Sequence, residues 1–529
     1  MSGNIISIFD RHDANISFYH RERNQYYIIE LERFLGLRYY SIEFGCAREI
    51  LEDCQDLATR FWGIENDYEA VLITPQWKGS ESTSLIKNIF NSKKYLSIEN
   101  HHYSHATCGF YQSPFDEALI LSYDGGGMSE SFNLYKGDID GVKLIKKLPI
   151  NIGAGYWMTG SLIKEIIQNS KLRRSYPGKL MGLSAYGKFN EKKYDTYCRF
   201  MNRNKREGYE ELYELDEIPD DKYIVVPEDD GDISDSWVYE SQEGYDIAYT
   251  IQKIIEKIVF FELEKCDSNI PLILTGGCAL NVVTNEKLKE KYDRPIYIPP
   301  NPHDGGLSLG HIFAYEKPKQ RVNVTYSGLP LMDQHKLEEY VRIHNAVKVN
   351  KKDIAELIKD GKIVGLVYGD SEVGPRALGN RSIVCDPNIA DMKDILNSKV
   401  KFREWYRPFA PFCKKEDAHK YFESRNFDNL EYMSYAPMVK KDYREKLPSI
   451  THADNTARLQ TVTEESHPQF YEILTHFGEL SETNVLLNTS FNIRGYPILS
   501  TIEDALYALN NTEMDYVVIE DYLFSKKVK

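Results

Sequence analysis

Three stretches of this chain share one plan. EALILSYDGGG (117–127), PLILTGGCALNVVTNEKLKE (271–290) and RPIYIPPNPHDGGLSLGHIFAYEK (294–317) each run from an apolar strand into a turn of Gly, Pro or Asp. The last two continue into a helical pattern. Strands that alternate with helices build an α/β layer, and in open α/β sheets ligands sit beyond the carboxyl ends of strands. That is where Asp124 and Asp304, each followed by glycines, are expected to lie.

The N-terminus reads differently. NIISIF, NISFYH and QYYIIELE are short β-prone runs with turn-like or charged residues between them, so an antiparallel meander opens the chain. At 529 residues the chain exceeds one ordinary core. The texture shifts at KPKQRVNVTYSGLP (317–330), which lacks clear periodicity and reads as a linker. HKLEEYVRIH, IAELIKD and KIVGLVYGD then open a second α/β unit. We expect one unit over 1–322 and another over 331–529. The acidic, Pro-containing 200–245 region reads as a surface excursion or lid.

Charge and cysteine usage exclude some classes. The formal net charge of −15, with no basic tract, argues against binding nucleic acid through a positive stripe. The 8 cysteines form no C-x-x-C pair, which argues against a zinc ribbon or a thioredoxin-type motif. Scattered thiols, no basic leader and no 18-residue apolar run lead us to expect a cytoplasmic protein that does not span a membrane.

The segment ENHHYSHATCG (99–109) holds three histidines. In a helix, His101 and His105 share a face and can share a metal ion, while His102 points elsewhere. The alternative is solvated histidines at a helix start. Asp124 and Asp304 add carboxylates at strand ends, and two His with one or two carboxylates suit Fe(II), Mn(II) or Zn(II).

Neither a P-loop nor a strand-placed G-x-G-x-x-G occurs. LTGGCALN (274–281) and PHDGG (302–306) could seat phosphates on backbone N–H groups, or make simple tight turns. PGKLMGLSAYGK (177–188) puts Lys179 and Lys188 around an apolar segment, as a ligand loop or a packed turn. Farther on, GDSEVGPRALGNRS (369–382) carries Arg376 and Arg381. KVKFREWYRPFAP (399–411) carries Lys399, Lys401, Arg403 and Arg407, and ADNTARLQTV (453–462) adds Arg458. NVLLNTSFNIRGYP (484–497) ends a strand in Asn488, Thr489, Ser490 and Asn492. Arginines among glycines argue for an anion clamp rather than a solvated charged face.

Taken in order, HDA, HHYSHA, SYDGGG, GKLMGLSAYG, TGGCALN, PPNPHDGG, EVGPRALGNRSI, KFREWYRPFAP, TARLQTV and LLNTSFNIRGYP resemble the ATP-dependent O-carbamoyltransferases of the NodU/CmcH type. These modify nodulation factors, cephems and aminoglycosides. The resemblance implies an N-terminal actin/sugar-kinase-like unit, akin to tRNA threonylcarbamoyl transferases, and a C-terminal YrdC-like α/β unit. It implies that the C-terminal unit makes carbamoyl-AMP from carbamoyl phosphate and ATP, with Mg accompanying the nucleotide. The N-terminal unit would then transfer the carbamoyl group to the hydroxyl of a small-molecule acceptor.

The same resemblance assigns His101, His105, Asp124 and Asp304 to a metal, reported in the family as iron. It places His12 as a base near the acceptor and Gly276, Gly277 and Asn281 in a nucleotide loop. Arg376, Lys401, Arg407, Arg458, Asn488, Ser490 and Asn492 fall in the carbamoyl-phosphate and ATP site. The chain departs from the family in ELERFLGLRYY, where Arg38 and Tyr39 stand in place of a Lys/His-rich segment, so the acceptor stays open. So does a homodimer. The competing readings are a tRNA threonylcarbamoylation-type enzyme, which the acidic balance disfavours, and a nucleotide-binding module without catalysis.

Overall fold

The computed structural model describes residues 3–42, 44–74, 80–98, 100–125, 132–148, 152–168, 172–194, 197–198, 239–266 and 269–526. Gly126, Gly127 and most of the acidic 200–245 region lie outside them.

Two sheets with one topology make up the N-terminal unit. In the first, Gln25–Glu30, Asn15–His20 and Asn4–Phe9 form the antiparallel meander expected above. Tyr68–Ile73 and Ser92–Ser97 then add on in parallel beside Asn4–Phe9. The second sheet repeats this order. Gly141–Leu148, Phe132–Asp138 and Ala118–Tyr123 are antiparallel, and Leu272–Thr275 and Ile296–Tyr297 follow in parallel. This duplication is the layout that the actin/sugar-kinase resemblance implied. It escaped the sequence because the two halves share topology without a repeated motif.

Helices His101–Gln112 and Leu307–Glu316 lie between the sheets and cross each other closely. Gly310 permits the crossing: a Cβ there would stand 2.1 Å from the Ser104 carbonyl oxygen. Thr107 Oγ1 donates to the Gly310 carbonyl at 2.8 Å. Ala106, Phe110, Leu309, Ile312 and Phe313 fill the layer between the sheets with Ile5, Ile120 and Ile273. On the far face of the first sheet, Ala47–Trp62 buries Ile50, Leu51, Cys54 and Ala58 against Ile6 and Ile8. Apolar residues at three- and four-residue spacing give that helix its buried stripe.

The C-terminal unit is an eight-stranded mixed sheet. Its order is Val347–Lys348, Tyr522–Ser525, Tyr516–Ile519, Val364–Val367, Arg381–Cys385, Val485–Ser490, Ala410–Lys414 and Gln460–Val462. Helices Lys351–Lys359 and Pro468–Leu480 cover one face. A capping box at Asn350 starts the former: its side chain accepts from Asp353 N and Asp353 reciprocates. The connecting stretch 317–330 is well packed rather than slack. Ile28 N donates to Ser327 O, Gly328 N to Ser371 O and Ser371 N to Leu329 O. No helix among the described residues is long and apolar enough to cross a membrane.

Candidate metal centre and anion cleft

Asn100 starts the histidine helix, its side chain accepting from Tyr103 N at 2.9 Å. From that first turn His101 and His105 project together, as helical spacing requires. His102 and His105 are buried and His101 is partly buried; His102 turns to Ser122 Oγ at 2.8 Å, bracing the strand that leads to Asp124.

The four expected ligands converge. His101 Nε2 lies 3.1 Å from Asp124 Oδ2 and 3.4 Å from Asp304 Oδ1. His105 Nε2 lies 3.2 Å from each of the same oxygens. The two Nε2 atoms are 3.2 Å apart. Tetrahedral N and O ligands at about 2.1 Å from a shared ion stand about 3.4 Å from one another, so this donor set fits a divalent cation. Burial would lower the His105 pKa, but hydrogen bonds to Asp124 and Asp304 and their charges hold it up at about 9. Asp124 is pulled well below the carboxylate range by His101 and His105, against the opposing effect of burial. His311 stands behind the pair, bonded through Nδ1 to Ser7 Oγ at 3.0 Å. Burial and the charges of His101 and His105 push its pKa down to about 3, so it stays neutral.

The glycines do steric work beside these ligands. Gly276 has φ +90°, and a Cβ there would lie 2.1 Å from the Tyr123 carbonyl oxygen. A Cβ on Gly277 would lie 2.9 Å from Asp124 Oδ1. Asn281 is engaged locally: its side chain caps helix Val282–Lys291 through Thr284 N at 3.0 Å and bonds Gln252. His12 closes the site from the first sheet. Its Nδ1 pairs with Asp13 Oδ2 at 3.0 Å, and its Nε2 lies 3.4 Å from Asp304 Oδ2. Burial lowers its pKa, but the hydrogen bond to Asp13 and the charges of Asp304 and Asp13 outweigh that and leave it raised.

The second unit gathers cations. Leu396–Val400 is a turn of π-helix, and Lys401 leaves it with its N–H bonded to Leu396 O at 2.7 Å. Such wide turns recur at functional sites. Lys401 Nζ donates to Ser490 O at 2.6 Å and Asn492 O at 2.8 Å, and also to Asn492 Oδ1. Burial and then the charges of Arg403, Arg407 and Arg38 drive its pKa well down. Arg376 is lowered to about 10 by burial and Arg407. Arg458 is lowered by burial and by Arg376, Arg403 and Arg407. The paired anion inside this group is Glu404, whose carboxylate meets Lys179 at 2.6 Å and Arg407 at 3.4 Å.

Some expectations from the arginine-rich motif change. Arg381 is fully buried and donates to the carbonyls of Tyr368, Asn380 and Gly369, so it holds the loop rather than facing an anion. Asn488 is likewise internal, bonded to Ala377 O and Gln460 Oε1. Lys179 serves as the ion-pair partner of Glu404 across the two units. Asp10 is not among the expected site residues, yet its carboxylate is 1% exposed and has no hydrogen-bond partner beyond its own residue among the described residues. Only its odd place at the end of an apolar strand, FDRHDA, could have flagged it.

A family model described as the carbamoyltransferase N-terminus matches residues 47–313, and one for the carbamoyltransferase C-terminus matches 355–526. The chain belongs to the carbamoyltransferase family. It is 33% identical over 450 residues to nodulation protein NolNO of Sinorhizobium fredii, covering 82% of this chain and 64% of that protein. It is 30% identical over 446 residues to nodulation protein NolO of Bradyrhizobium diazoefficiens, covering 81% of this chain and 79% of that one. This carbamoyltransferase-family chain thus spans under two thirds of NolNO. The crystal structure of T.kodakarensis HypF superposes with a TM-score of 0.36 at 11% identity, over 59% of this chain and 48% of that one. At that level neither fold nor site carries over.

Proposed function

We propose that this carbamoyltransferase-family chain is an ATP-dependent O-carbamoyltransferase whose labour divides between 1–322 and 331–529. In the second unit, water cleaves carbamoyl phosphate to carbamate and phosphate. Carbamate then attacks the α-phosphorus of ATP, giving carbamoyl-AMP and releasing pyrophosphate. In the first unit an acceptor hydroxyl attacks the carbamoyl carbon, forming the O-carbamoyl product and releasing AMP.

The observation that carries this reading is the cation cluster of Arg376, Lys401, Arg407 and Arg458, which shares one molecule with the His101, His105, Asp124 and Asp304 cluster. Several like charges brought together against mutual repulsion call for a polyanionic ligand. Phosphate oxygens would be taken by Arg376, Arg407 and Arg458, while Lys401, Ser490 and Asn492 shape one wall. Gly276 and Gly277 let a nucleotide come close to the backbone beside Asp124, and Asn281 fixes the loop that follows.

His101, His105, Asp124 and Asp304 would hold a divalent metal, Fe(II) by family resemblance. When bound, it supplies Lewis-acid polarisation of the carbamoyl oxygen. His12, oriented by Asp13, takes the proton of the acceptor hydroxyl at Nε2, which a weak oxygen nucleophile needs. The acceptor is a small hydroxyl compound such as a sugar, nucleoside or natural product. The decisive experiment supplies ATP and carbamoyl phosphate and follows phosphate release, ATP–pyrophosphate exchange and carbamoyl gain on a panel of hydroxyl compounds by mass spectrometry. Absence of both phosphate release and exchange would sink the proposal. Exchange driven instead by threonine with bicarbonate would point to threonylcarbamoylation.

A further inference from the structure

The Glu30–Arg33 pair crosses the boundary between the two units. Glu30 ends the strand Gln25–Glu30, and Arg33 lies on the five-residue helix Leu31–Leu35 that follows it. Both are nearly buried, with side chains 10% and 7% exposed, and Arg33 Nε meets Glu30 Oε2 at 2.9 Å. Among the described residues, the side-chain hydrogen bonds the pair makes beyond itself go to the second unit. Arg33 Nη1 donates to Ser371 Oγ at 2.5 Å and to Glu372 O, and Nη2 donates to Gly374 O at 2.5 Å. Glu30 Oε1 accepts from Gly374 N at 3.1 Å. The pair therefore holds both polar groups of Gly374, the N–H with its carboxylate and the C=O with its guanidinium.

Gly374 is also pressed on the metal loop. It has φ +97°, and a Cβ there would lie 2.2 Å from the Pro300 carbonyl oxygen. Two residues beyond Gly374 comes Arg376, and four beyond Pro300 comes Asp304. The rest of the loop is tied down too: Val373 N donates to Thr325 O, and Glu372 Oε1 accepts from Leu378 N at 2.7 Å. A buried ion pair is a poor device for stability alone, because desolvation offsets most of its attraction. A planar guanidinium with several fixed acceptors is instead a good device for setting geometry.

We infer that Glu30 and Arg33 are positioning residues that fix Arg376, in the donor-activating cleft, against Asp304, in the metal centre, and so set the register between the two sites. The inference rests on the proposed two-site reaction and adds which residues couple its halves. Neither residue touches substrate in this scheme. They act through Gly374.

The test uses Arg33→Lys and Arg33→Met in the full chain. Arg33→Lys keeps the charge opposite Glu30 but cannot reach Ser371, Glu372 and Gly374 together. Two quantities are read. One is the affinity for inorganic phosphate by calorimetry. The other is the ratio of carbamoylated product to carbamoyl phosphate consumed. Misplacement by about 1 Å can cost about 100-fold in rate. We expect Arg33→Lys to melt near the wild-type temperature, weaken phosphate binding at least about 10-fold and lower the product ratio, with metal content unchanged. Arg33→Met should do more. Should it not fold, Ser371→Ala, which removes one acceptor, takes its place with a smaller fall in the same two readouts. Wild-type phosphate affinity and product ratio in Arg33→Lys would overturn the inference while leaving the two-site reading intact. A wild-type protein that binds no phosphate and consumes no carbamoyl phosphate would overturn both.

Discussion

The Nε2 atoms of His101 and His105 face each other at 3.2 Å, each within 3.4 Å of Asp124 and Asp304 oxygens. Two imidazole nitrogens so placed do not satisfy one another when both are protonated. A cation between them does.

His105→Ala should therefore lose bound metal, measured by plasma mass spectrometry on anaerobically prepared protein. A metal supplies several kcal/mol of charge stabilisation to such a transfer, so carbamoyl transfer should fall more than about 100-fold. ATP–pyrophosphate exchange, assigned to the other unit, should persist. Chelation of the wild type should give the same split. Loss of exchange together with transfer would remove the separation of sites.

His12→Asn keeps a side-chain amide near Asp13 but offers no proton acceptor. Removing a general base costs roughly 100- to 10,000-fold. We expect that loss in transfer, with metal content and exchange retained. A variant that transfers within about threefold of wild type would not fit a mechanism in which a base contributes the usual factor.

If the grouped Arg376, Arg407 and Arg458 form the proposed phosphate site, they should cost stability in the absence of phosphate. Among the described residues Arg458 Nε has no hydrogen-bond partner, and burial and then the neighbouring cations lower its pKa. Arg458→Met should melt higher than wild type in phosphate-free buffer and bind phosphate much more weakly. Phosphate at about 100 times its dissociation constant should stabilise the wild type by about 2.7 kcal/mol, and the variant far less. Calorimetry and thermal melts with and without phosphate check both halves.

Much of this was legible because turns and ligands lie close together in sequence. The meander of Asn4–Phe9, Asn15–His20 and Gln25–Glu30 needs only short loops, and His101 with His105 needs only a helix. Asp124 directly follows its strand as expected, whereas Asp304 opens a 3-10 turn seven residues past the strand Ile296–Tyr297, and it was the family resemblance that joined both to the histidine pair. What stayed hidden depends on partners far along the chain. Nothing in the sequence links Arg33 to Ser371, 338 positions away. Arg381 looks like another clamp residue until it is seen donating to its own loop. The duplicated sheet order is likewise a property of strand pairing and leaves no periodic mark.

Gly310→Ala tests the helix crossing that carries His105. The added methyl would meet the Ser104 carbonyl oxygen at 2.1 Å, so the two helices must separate. Overpacking of this kind typically costs about 1–3 kcal/mol. The thermal midpoint should fall, and metal affinity should fall with it because His105 rides on the displaced helix while Asp304 lies just ahead of the other. Gly36→Ala makes a useful contrast: no atom lies within 4 Å of the added methyl there, so its cost comes from the φ of +69° alone and metal affinity should be unchanged.

Asp10 gives a pH signature. Its carboxylate is buried, and burial lifts its pKa to about 6 although its own backbone N–H and Arg11 pull the other way. In the unfolded chain an aspartate titrates near 3.9. Between those values the folded state holds a proton that the unfolded state has released. Stability contributed by this group is therefore present below about pH 4 and is lost as pH rises through about 6. The span corresponds to up to ~3 kcal/mol. Asp10→Asn cannot ionise, so its stability relative to wild type should grow between pH 4 and 6 and stay constant above. Denaturant melts of both proteins at pH 4.5, 5.5, 6.5 and 7.5 would show the difference rising and then levelling. A difference flat across that range would mean that Asp10 finds a counter-charge or water in solution that holds it ionised.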